Sequence, residues 1–261
     1  MPPPAALAAA AAWNALDEAP AAVLARIVAL RDSPAAPVVV QSSALGPSGL
    51  VISHMLRGAG VPIVFIDTLY HFDETLALLE LTKQSHAVHV FTPLGAPTRE
   101  AFEAAHGTEL WATDPDKYDY LVKAEPGHRA FEQLGAQIVI TGRRRSQGAE
   151  RSSLSVYEWD SSFDPPVLKV NPLANWSFDQ VWAYIRANGV AYNALHDKGY
   201  KSIGDWHSTQ PTAPGEGERD GRWKGQAKSE CGLHKDYFKM RAKALADQRA
   251  AESAAESAAV A

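Results

Sequence analysis

The chain has 261 residues, of which 46% are hydrophobic, and it carries a formal net charge of −5. This is enough for one globular domain with a sizeable core, and no excess of positive charge points to nucleic acid as a partner. The one cysteine, Cys231, excludes an intramolecular disulfide and a four-thiolate zinc or iron–sulfur site within the chain.

The amino-terminal alanine run has no basic region ahead of it, and Asp17 and Glu18 follow soon after. We therefore expect neither a secretory signal nor a transit peptide. No stretch approaches the roughly 18 apolar residues of a membrane helix. The expectation is a soluble cytoplasmic protein, and a single cysteine is compatible with that reducing compartment.

Apolar runs rich in β-branched residues alternate along the chain with stretches of helical periodicity. We expect a frayed terminus over 1–12, mixed polar structure over 111–127 and loops over 188–229. The alternation predicts an α/β fold, with a parallel sheet and helices on both of its faces. The predicted strands are 37–40, 61–66, 86–91, 137–141 and 167–170, and the predicted helices are 13–30, 50–56, 72–81, 98–106, 128–134, 178–187 and 235–246.

Polar clusters follow three of the predicted strands, over residues 41–49, 67–71 and 142–148. In parallel sheets, ligands bind outside the carboxyl ends of the strands. The three clusters are therefore expected to meet at one crevice.

The first cluster lies between a strand and a helix and has the composition of an anion-binding turn. Its backbone N–H groups and the helix N-terminus suit a phosphate or sulfate. It is neither a P-loop nor a dinucleotide fingerprint. Any strand–helix turn needs small residues, so a purely structural explanation stays open. The candidate contacts are Ser42, Ser43, Gly46, Ser48 and Gly49.

Arg143, Arg144 and Arg145 stand side by side in the third cluster, and Gln147 follows them. Three adjacent arginines repel one another, and an anionic ligand would relieve that repulsion. A solvated surface charge run is the alternative. Their position beyond a buried strand favours phosphate or sulfate binding.

Two further pairs have side chains suited to a nucleotide. Asp67 and Thr68 follow a strand and suit a ribose hydroxyl or adenine, or else cap the next helix. Trp206 and His207 combine an aromatic face with hydrogen-bonding groups, which suits a base or an anion, although a structural turn explains them equally well. The spacing of His71, His196 and His207 does not match that of metal ligands, so no metal site is predicted.

Cys231 lies in a polar setting that favours a reactive thiol over a small buried hydrophobe. Lys228 and His234 would lower the thiol pKa and enrich the nucleophilic thiolate. Glu230 and Gly232 flank the cysteine, and the glycine leaves the sulfur approachable on one side. The residues alone thus predict an anion pocket of nucleotide type and a reactive cysteine on a mobile arm.

In order, these motifs resemble the phosphoadenylyl-sulfate (PAPS) reductases of assimilatory sulfate reduction. Lys228–His234 resembles the catalytic signature of the family, 142–147 its arginine-rich motif, and 41–49 its modified pyrophosphate loop. The resemblance covers about 37–236 and also includes 65–72, 171–176 and 200–205.

The resemblance implies the adenine-nucleotide α-hydrolase fold and a defined reaction. Cys231 would attack the sulfur of PAPS, release adenosine 3′,5′-bisphosphate and become an S-sulfocysteine. Reduced thioredoxin or glutaredoxin would then release sulfite. His234 would tune the thiolate or bind the sulfonate, and Glu230 and Lys228 belong to the same signature. The first loop lacks the aspartate of the ATP-cleaving relatives, which agrees with a sulfated ligand. Family members are typically homodimers.

Two rival functions stay open. A sister group uses adenylyl sulfate (APS) and usually carries a four-iron cluster on four cysteines, which Cys231 alone cannot hold, although cluster-free members exist. Arg145 and Arg151 are the candidates for reading the 3′-phosphate that distinguishes PAPS from APS. The second rival is a non-catalytic nucleotide-binding or redox-sensing module. We expect no bound cofactor or metal in any of these cases.

The domain organisation follows from this interpretation. We expect an N-terminal extension and helix over 1–36, a nucleotide-binding α/β domain over 37–206 and a flexible catalytic arm over 207–246. The alanine-, serine- and glutamate-rich tail over 247–261 is expected to be disordered.

Overall fold

A computed structural model of the chain describes residues 1–224 and 237–260. Its centre is a six-stranded sheet in the order β3-β2-β1-β4-β6-β5, in which β5 alone runs antiparallel to its neighbour. The predicted α/β class is confirmed. The strands are β1 (Val39–Ser42), β2 (Ile63–Ile66), β3 (Val88–Phe91), β4 (Ile138–Thr141), β5 (Tyr157–Asp160) and β6 (Val167–Val170).

Helices cover both faces of the sheet, as predicted. A π-helical turn, Tyr120–Ala124, joins the seventh helix to the eighth. The helices are α1 (Pro4–Asn14), α2 (Pro20–Arg31), α3 (Pro47–Met55), α4 (Asp73–Lys83), α5 (Arg99–His106), α6 (Leu110–Thr113), α7 (Pro115–Asp119), α8 (Glu125–Leu134), α9 (Phe178–Asn188) and α10 (Tyr237–Val260).

Alternate residues of the central strand β1 pack into two different hydrophobic cores, one on each face of the sheet. Val39 packs with apolar side chains of α1, α2, α3 and α9, whereas Val40 packs on the other face with Phe131 of α8. Both valines are almost fully buried. Because both faces are covered, the central strands are continuous apolar runs, and each buried side chain stabilises the fold by about 2 kcal/mol.

The amino-terminal region differs from the prediction of a frayed end and one helix over 13–30. Two helices are present, α1 and α2, and each begins with a proline at its first position. Proline is favoured there because its fixed φ is helical and its missing N–H has no partner to lose. Asp17, with φ of 44°, turns the chain between the two helices.

The carboxyl-terminal region also differs. The predicted helix over 235–246 and the disordered tail over 247–261 are replaced by one helix, α10, which runs through Val260. Alanine and glutamate are strong helix formers, so the low-complexity composition is compatible with a helix. Residues 235 and 236 lie outside the described part of the chain.

The loops predicted over 188–229 are confirmed as far as Lys224, with short 3-10 turns at Ala194–Lys198 and Trp206–Ser208. The end of this stretch folds back on itself through the N–H of Trp223, which donates to the carbonyl of Ser208 at 2.9 Å. Within the described ranges, no helix is both long and apolar enough to cross a membrane.

Candidate active site

The segments that follow β1 and β4 pack directly against each other at the carboxyl edge of the sheet. A Cβ at Gly142 would lie 2.9 Å from the backbone N of Gly49 and 3.1 Å from the Cβ of Ser48. Glycine is therefore required at position 142 for the two segments to approach. The segment that follows β1 is also held by Gln41 of that strand, whose side-chain amide donates to the carbonyl of Gly49 at 2.8 Å.

Arg144 joins these two segments and is the most deeply buried of the three adjacent arginines. Its side chain is 1% exposed, and its Nε donates to the hydroxyl of Ser48 at 2.8 Å. Its Nη2 lies 2.6 Å from both carboxylate oxygens of Glu218. A buried guanidinium requires such a counter-charge, so Glu218 is part of this arrangement.

The other two arginines point away from Arg144. Arg143 is paired with Glu158 of β5 at 2.7 Å. Arg145 donates to the carbonyl of Leu154 at 2.6 Å and lines a separate cavity of about 280 Å³ beneath α1 and α2. The sequence suggested that an anionic ligand would relieve the repulsion between the three arginines. In the structure, carboxylates of the protein relieve part of it, because Glu158 pairs with Arg143 and Glu218 with Arg144. Direct substrate contact by these arginines stays a prediction.

Gln147 organises the short 3-10 turn after the arginines. Its side-chain oxygen accepts from the backbone N–H of Arg144 at 3.1 Å and from Arg151 at 2.5 Å. Its side-chain nitrogen donates to Glu218 at 3.3 Å. Gln147 and Arg151, two of the predicted contacts, are therefore adjacent to the Arg144–Glu218 pair.

The segment after β2 meets the 205–207 turn through a buried carboxylate, Asp205. Thr68 donates to one of its oxygens at 2.6 Å, and Lys123 and Tyr118 approach the other at 2.7 and 3.2 Å. Lys123 also pairs with Asp119 at 3.2 Å. We call these five residues the Asp205 network; it ties the β2 loop to α7 and to the π-helical turn.

The ionisation of this network follows from its burial and its charges. Burial alone would raise the pKa of Asp205, but Lys123, His71 and the hydrogen bonds of the carboxylate outweigh it and hold that pKa well below its usual range. Burial and the adjacent carboxylate raise the pKa of Tyr118 far above its usual value. At neutral pH, Asp205 is therefore ionised and Tyr118 is a neutral hydrogen-bond donor.

Trp206 and His207 extend from the Asp205 network into an aromatic cluster. His207 stacks on Trp111 with ring centroids 4.4 Å apart and 14° between the planes, and its Nε2 lies 3.1 Å from the Tyr118 hydroxyl. Trp206 packs edge-on against Trp111 at 5.7 Å and is 40% exposed. An exposed indole beside polar groups suits an aromatic ligand, as the sequence suggested.

The helix that follows the cysteine segment is held by an aromatic stack. Tyr237, the first residue of α10, lies parallel to His128 at 3.6 Å, and His128 is stacked on its other side by Phe163 at 4.0 Å. Lys243 adds an ion pair with Asp114 at 3.7 Å. The start of α10 is thus fixed against α8 and α7.

The predicted site residues divide into three sets. Ser48, Gly49, Arg144, Gln147 and Arg151 lie together, and Ser43 is buried beneath them with its hydroxyl accepting from the N–H of Leu45. A second set, which lies around the Asp205 network, consists of Thr68, Trp206 and His207. The remaining described residues are Ser42, Gly46 and Asp67, which lie at the carboxyl edge, and Arg143 and Arg145, which turn aside.

The predicted catalytic residues Cys231, Glu230 and His234 lie outside the described part of the chain, as does Lys228. Their roles stay predictions. In the part that is described, no group of three or more potential ligand side chains is arranged to hold a metal ion.

Sequence reasoning missed Lys123, Tyr118, Asp119, Glu158 and Glu218. The first three lie in the mixed polar stretch over 111–127, which has no strong periodicity. A lysine among apolar neighbours, as in Leu121-Val122-Lys123-Ala124, was the one available signal of a buried charge. Glu218 lies in a glycine- and charge-rich loop that shows no such signal.

Residues 38–211 match the phosphoadenosine phosphosulfate reductase domain. A probable phosphoadenosine phosphosulfate reductase of Schizosaccharomyces pombe is 50% identical over 223 residues, which are 84% of this chain and 82% of that protein. The chain belongs to the phosphoadenosine phosphosulfate reductase family. The resemblance inferred from the motifs is confirmed.

Two further relatives are a PAPS reductase of known structure and a reductase named for adenosine 5′-phosphosulfate. A crystal structure of PAPS reductase from Candida auris, a phosphate complex, is 41% identical and matches with a TM-score of 0.69 over 77% of this chain and 96% of that one. An adenosine 5′-phosphosulfate reductase of Lysinibacillus sphaericus is 35% identical over 199 residues, 75% of this chain and 84% of that protein. The fungal proteins named for the 3′-phosphorylated substrate are thus more similar to this chain than that bacterial adenosine 5′-phosphosulfate reductase is.

Proposed function

We propose that the chain reduces PAPS to sulfite and adenosine 3′,5′-bisphosphate in sulfate assimilation. The observation that carries this proposal is the family match, together with a single cysteine in the Lys228–His234 signature. A reductase of this type needs one nucleophilic thiol and an external dithiol, and the sequence supplies one thiol.

The reaction has two steps. The Cys231 thiolate attacks the sulfur of PAPS; an S–S bond forms, the S–O bond to the phosphate breaks, and adenosine 3′,5′-bisphosphate leaves. A thiolate of the donor then attacks the Cys231 sulfur and expels sulfite. The second donor thiol resolves the mixed disulfide, so the dithiol is oxidised by two electrons and Cys231 is regenerated.

The described residues support the binding half of this reaction. The segment after β1 offers the hydroxyl of Ser48 and the N-terminal turn of α3, a setting suited to the phosphosulfate. Asp67 and Thr68 lie at the carboxyl edge beside it, where a ribose or adenine binds in such sheets. Trp206 adds an exposed aromatic face.

Reduced thioredoxin or glutaredoxin is the proposed electron donor, because the chain has one thiol and cannot form its own disulfide. No bound cofactor is needed for the two steps. We expect a homodimer in the cytoplasm, where the thiol stays reduced.

PAPS is the proposed substrate, and APS is the alternative within the same fold. The higher identity to the fungal proteins named for PAPS, 50% against 35% for an APS reductase, supports this choice. Arg145 and Arg151 are the sequence candidates for the 3′-phosphate. Arg151 is the one that lies beside the Arg144–Glu218 pair, through Gln147, whereas Arg145 lines the separate cavity beneath α1 and α2.

Thioredoxin-dependent sulfite release, measured with PAPS and with APS, tests the proposal. We expect turnover with PAPS at least about tenfold more efficient than with APS, a difference of about 1.4 kcal/mol, and none from Cys231→Ser, which keeps its affinity for the bisphosphate. Faster turnover of APS would make the chain an APS reductase. Nucleotide binding without sulfite release from either donor would instead support a binding or redox-sensing module.

A further inference from the structure

Glu218 and Arg144 form a buried ion pair between two loops that are far apart in sequence. The Arg144 side chain is 1% exposed and that of Glu218 is 13% exposed. Both carboxylate oxygens lie 2.6 Å from the same guanidinium nitrogen, and Gln147 adds a third contact at 3.3 Å. A pair this deeply buried is held by its geometry, and loss of one partner leaves the other charge without compensation.

The guanidinium of Arg144 is fully engaged within the protein. Its Nε donates to the hydroxyl of Ser48 at 2.8 Å, and its Nη1 donates to the hydroxyl of Ser146 at 2.6 Å and to the carbonyl of Trp176 at 3.3 Å. The remaining nitrogen binds Glu218. Arg144 therefore connects the β1 segment, its own turn and the start of α9, and its charge is balanced by the protein's own carboxylate.

Glu218 belongs to the loop of residues 213–224, which precedes the cysteine segment. Beyond Glu218 this loop folds back: the N–H of Arg222 donates to the carbonyl of Arg219, and the N–H of Trp223 to Ser208, both at 2.9 Å. Trp223 is 4% exposed. The ion pair thus fixes the loop against the carboxyl edge at a point shortly before the chain reaches Cys231. Cys231 is the seventh residue after Lys224, and a chain of seven residues spans at most about 25 Å.

We propose that Glu218 is a positioning residue for transfer of the sulfonate to Cys231. By pairing with Arg144 it holds the 213–224 loop against the segments that follow β1 and β4. The phosphosulfate is proposed to bind at these segments, so the chain leading to Cys231 would start next to it. This rests on the function proposed above. In this proposal Arg144 acts through its contacts with Glu218 and Ser48.

A matched pair of variants separates this role from a general effect of charge. Glu218→Gln keeps the shape of the side chain and removes the buried charge. Glu216→Gln makes the same change in the same loop, where Glu216 forms a part-exposed pair with Lys224 at 2.8 Å. Surface pairs of that kind contribute little, so Glu216→Gln is the control.

The first measurement needs no substrate. Hydrogen exchange at the backbone N–H groups of Arg222 and Trp223 should speed up about tenfold in Glu218→Gln, because a bond to a buried charge is weakened. Exchange in β1 and β4 should stay as in the wild type, which shows that the loop alone is released. Unchanged exchange at Arg222 and Trp223 would overturn the proposal.

The second measurement compares single-turnover sulfonation of Cys231 by PAPS with calorimetric affinity for adenosine 3′,5′-bisphosphate. Glu218→Gln should lower the sulfonation rate about tenfold and leave the affinity within about twofold of the wild type. Glu218→Asp should recover part of the rate. Glu216→Gln should match the wild type in both rate and affinity. A parallel loss of rate and affinity would place Glu218 in the binding pocket and contradict the proposal. If the wild type itself forms no sulfonate, the proposed function fails, while the exchange comparison still decides whether Glu218 holds the loop.

Discussion

Asp205 shows how a single buried residue organises this edge of the sheet. Its carboxylate receives Thr68 from one loop and Lys123 from the π-helical turn, and the residue also bridges to the backbone of His71. Because Trp206 and His207 follow it directly, the geometry of both depends on these contacts. A charge so placed is costly to bury unless every partner is present.

Asp205→Asn should destabilise the protein by about 3 kcal/mol at pH 7, because Lys123 loses one of its two carboxylate partners. The folded pKa of Asp205 is depressed, so its stabilisation is present above the unfolded pKa of about 3.9 and is lost as pH falls through and below that value. The difference in the free energy of unfolding between Asp205→Asn and the wild type should therefore shrink by about 1 kcal/mol between pH 7 and pH 3.

Urea unfolding at the two pH values measures this difference. Asp197→Asn, which removes an exposed carboxylate bound by the Tyr192 hydroxyl, is the control and should cost less than about 0.5 kcal/mol. A difference that does not depend on pH would show that the charge of Asp205 is not what stabilises the network.

Individual residues were predictable from sequence where their chemistry is local. Ser48 was singled out from a strand–helix turn, and in the structure its hydroxyl accepts from Arg144, although its contact with substrate stays a prediction. The burial of Arg144 was not predictable, because its partner Glu218 is distant in sequence and lies in an irregular loop. The pairing of Lys123 with Asp205 was hidden for the same reason: only the fold brings the two charges together.

At the scale of elements, the approach of the β1 and β4 segments depends on glycine. Gly142→Ala would place a methyl group 2.9 Å from the backbone of Gly49, which cannot yield as a flexible side chain can. We expect the affinity for adenosine 3′,5′-bisphosphate to fall about tenfold as the two segments separate. Calorimetry measures this affinity.

Gly217→Ala is the matched control for Gly142→Ala. The added methyl group would meet only the carboxylate of Asp220 at 3.2 Å, an exposed side chain that can move. The affinity of Gly217→Ala for adenosine 3′,5′-bisphosphate should equal that of the wild type. Equal affinities for both variants would show that the close contact at Gly142 does not shape the pocket.

Elements were predictable where periodicity is strong and uninterrupted. The strand Val167–Val170 has the predicted bounds, and the helix Phe178–Asn188 begins at its predicted cap, Ser177. The strand Tyr157–Asp160 was missed, although its alternation of aromatic and acidic residues is typical of a half-exposed edge strand. The length of α10 was missed because an alanine- and serine-rich composition fits a disordered tail and a helix alike.

For the whole molecule, α10 is anchored near its beginning. Tyr237 stacks on His128, and Lys243 pairs with Asp114, both ahead of residue 247. Deletion of residues 247–261 should therefore leave turnover and the oligomeric state unchanged, as measured by sulfite release and light scattering. A changed oligomeric state or a loss of turnover would mean that the end of α10 has a contact of its own.

The central claim is that Cys231 accepts the sulfonate group of PAPS, and intact-protein mass spectrometry without any thiol tests it most directly. Incubation of the reduced wild type with PAPS should add one sulfonate per chain, which thioredoxin then removes as sulfite, and Cys231→Ser should gain no mass. Absence of the adduct in folded, reduced protein, or an equal adduct on Cys231→Ser, would contradict the account.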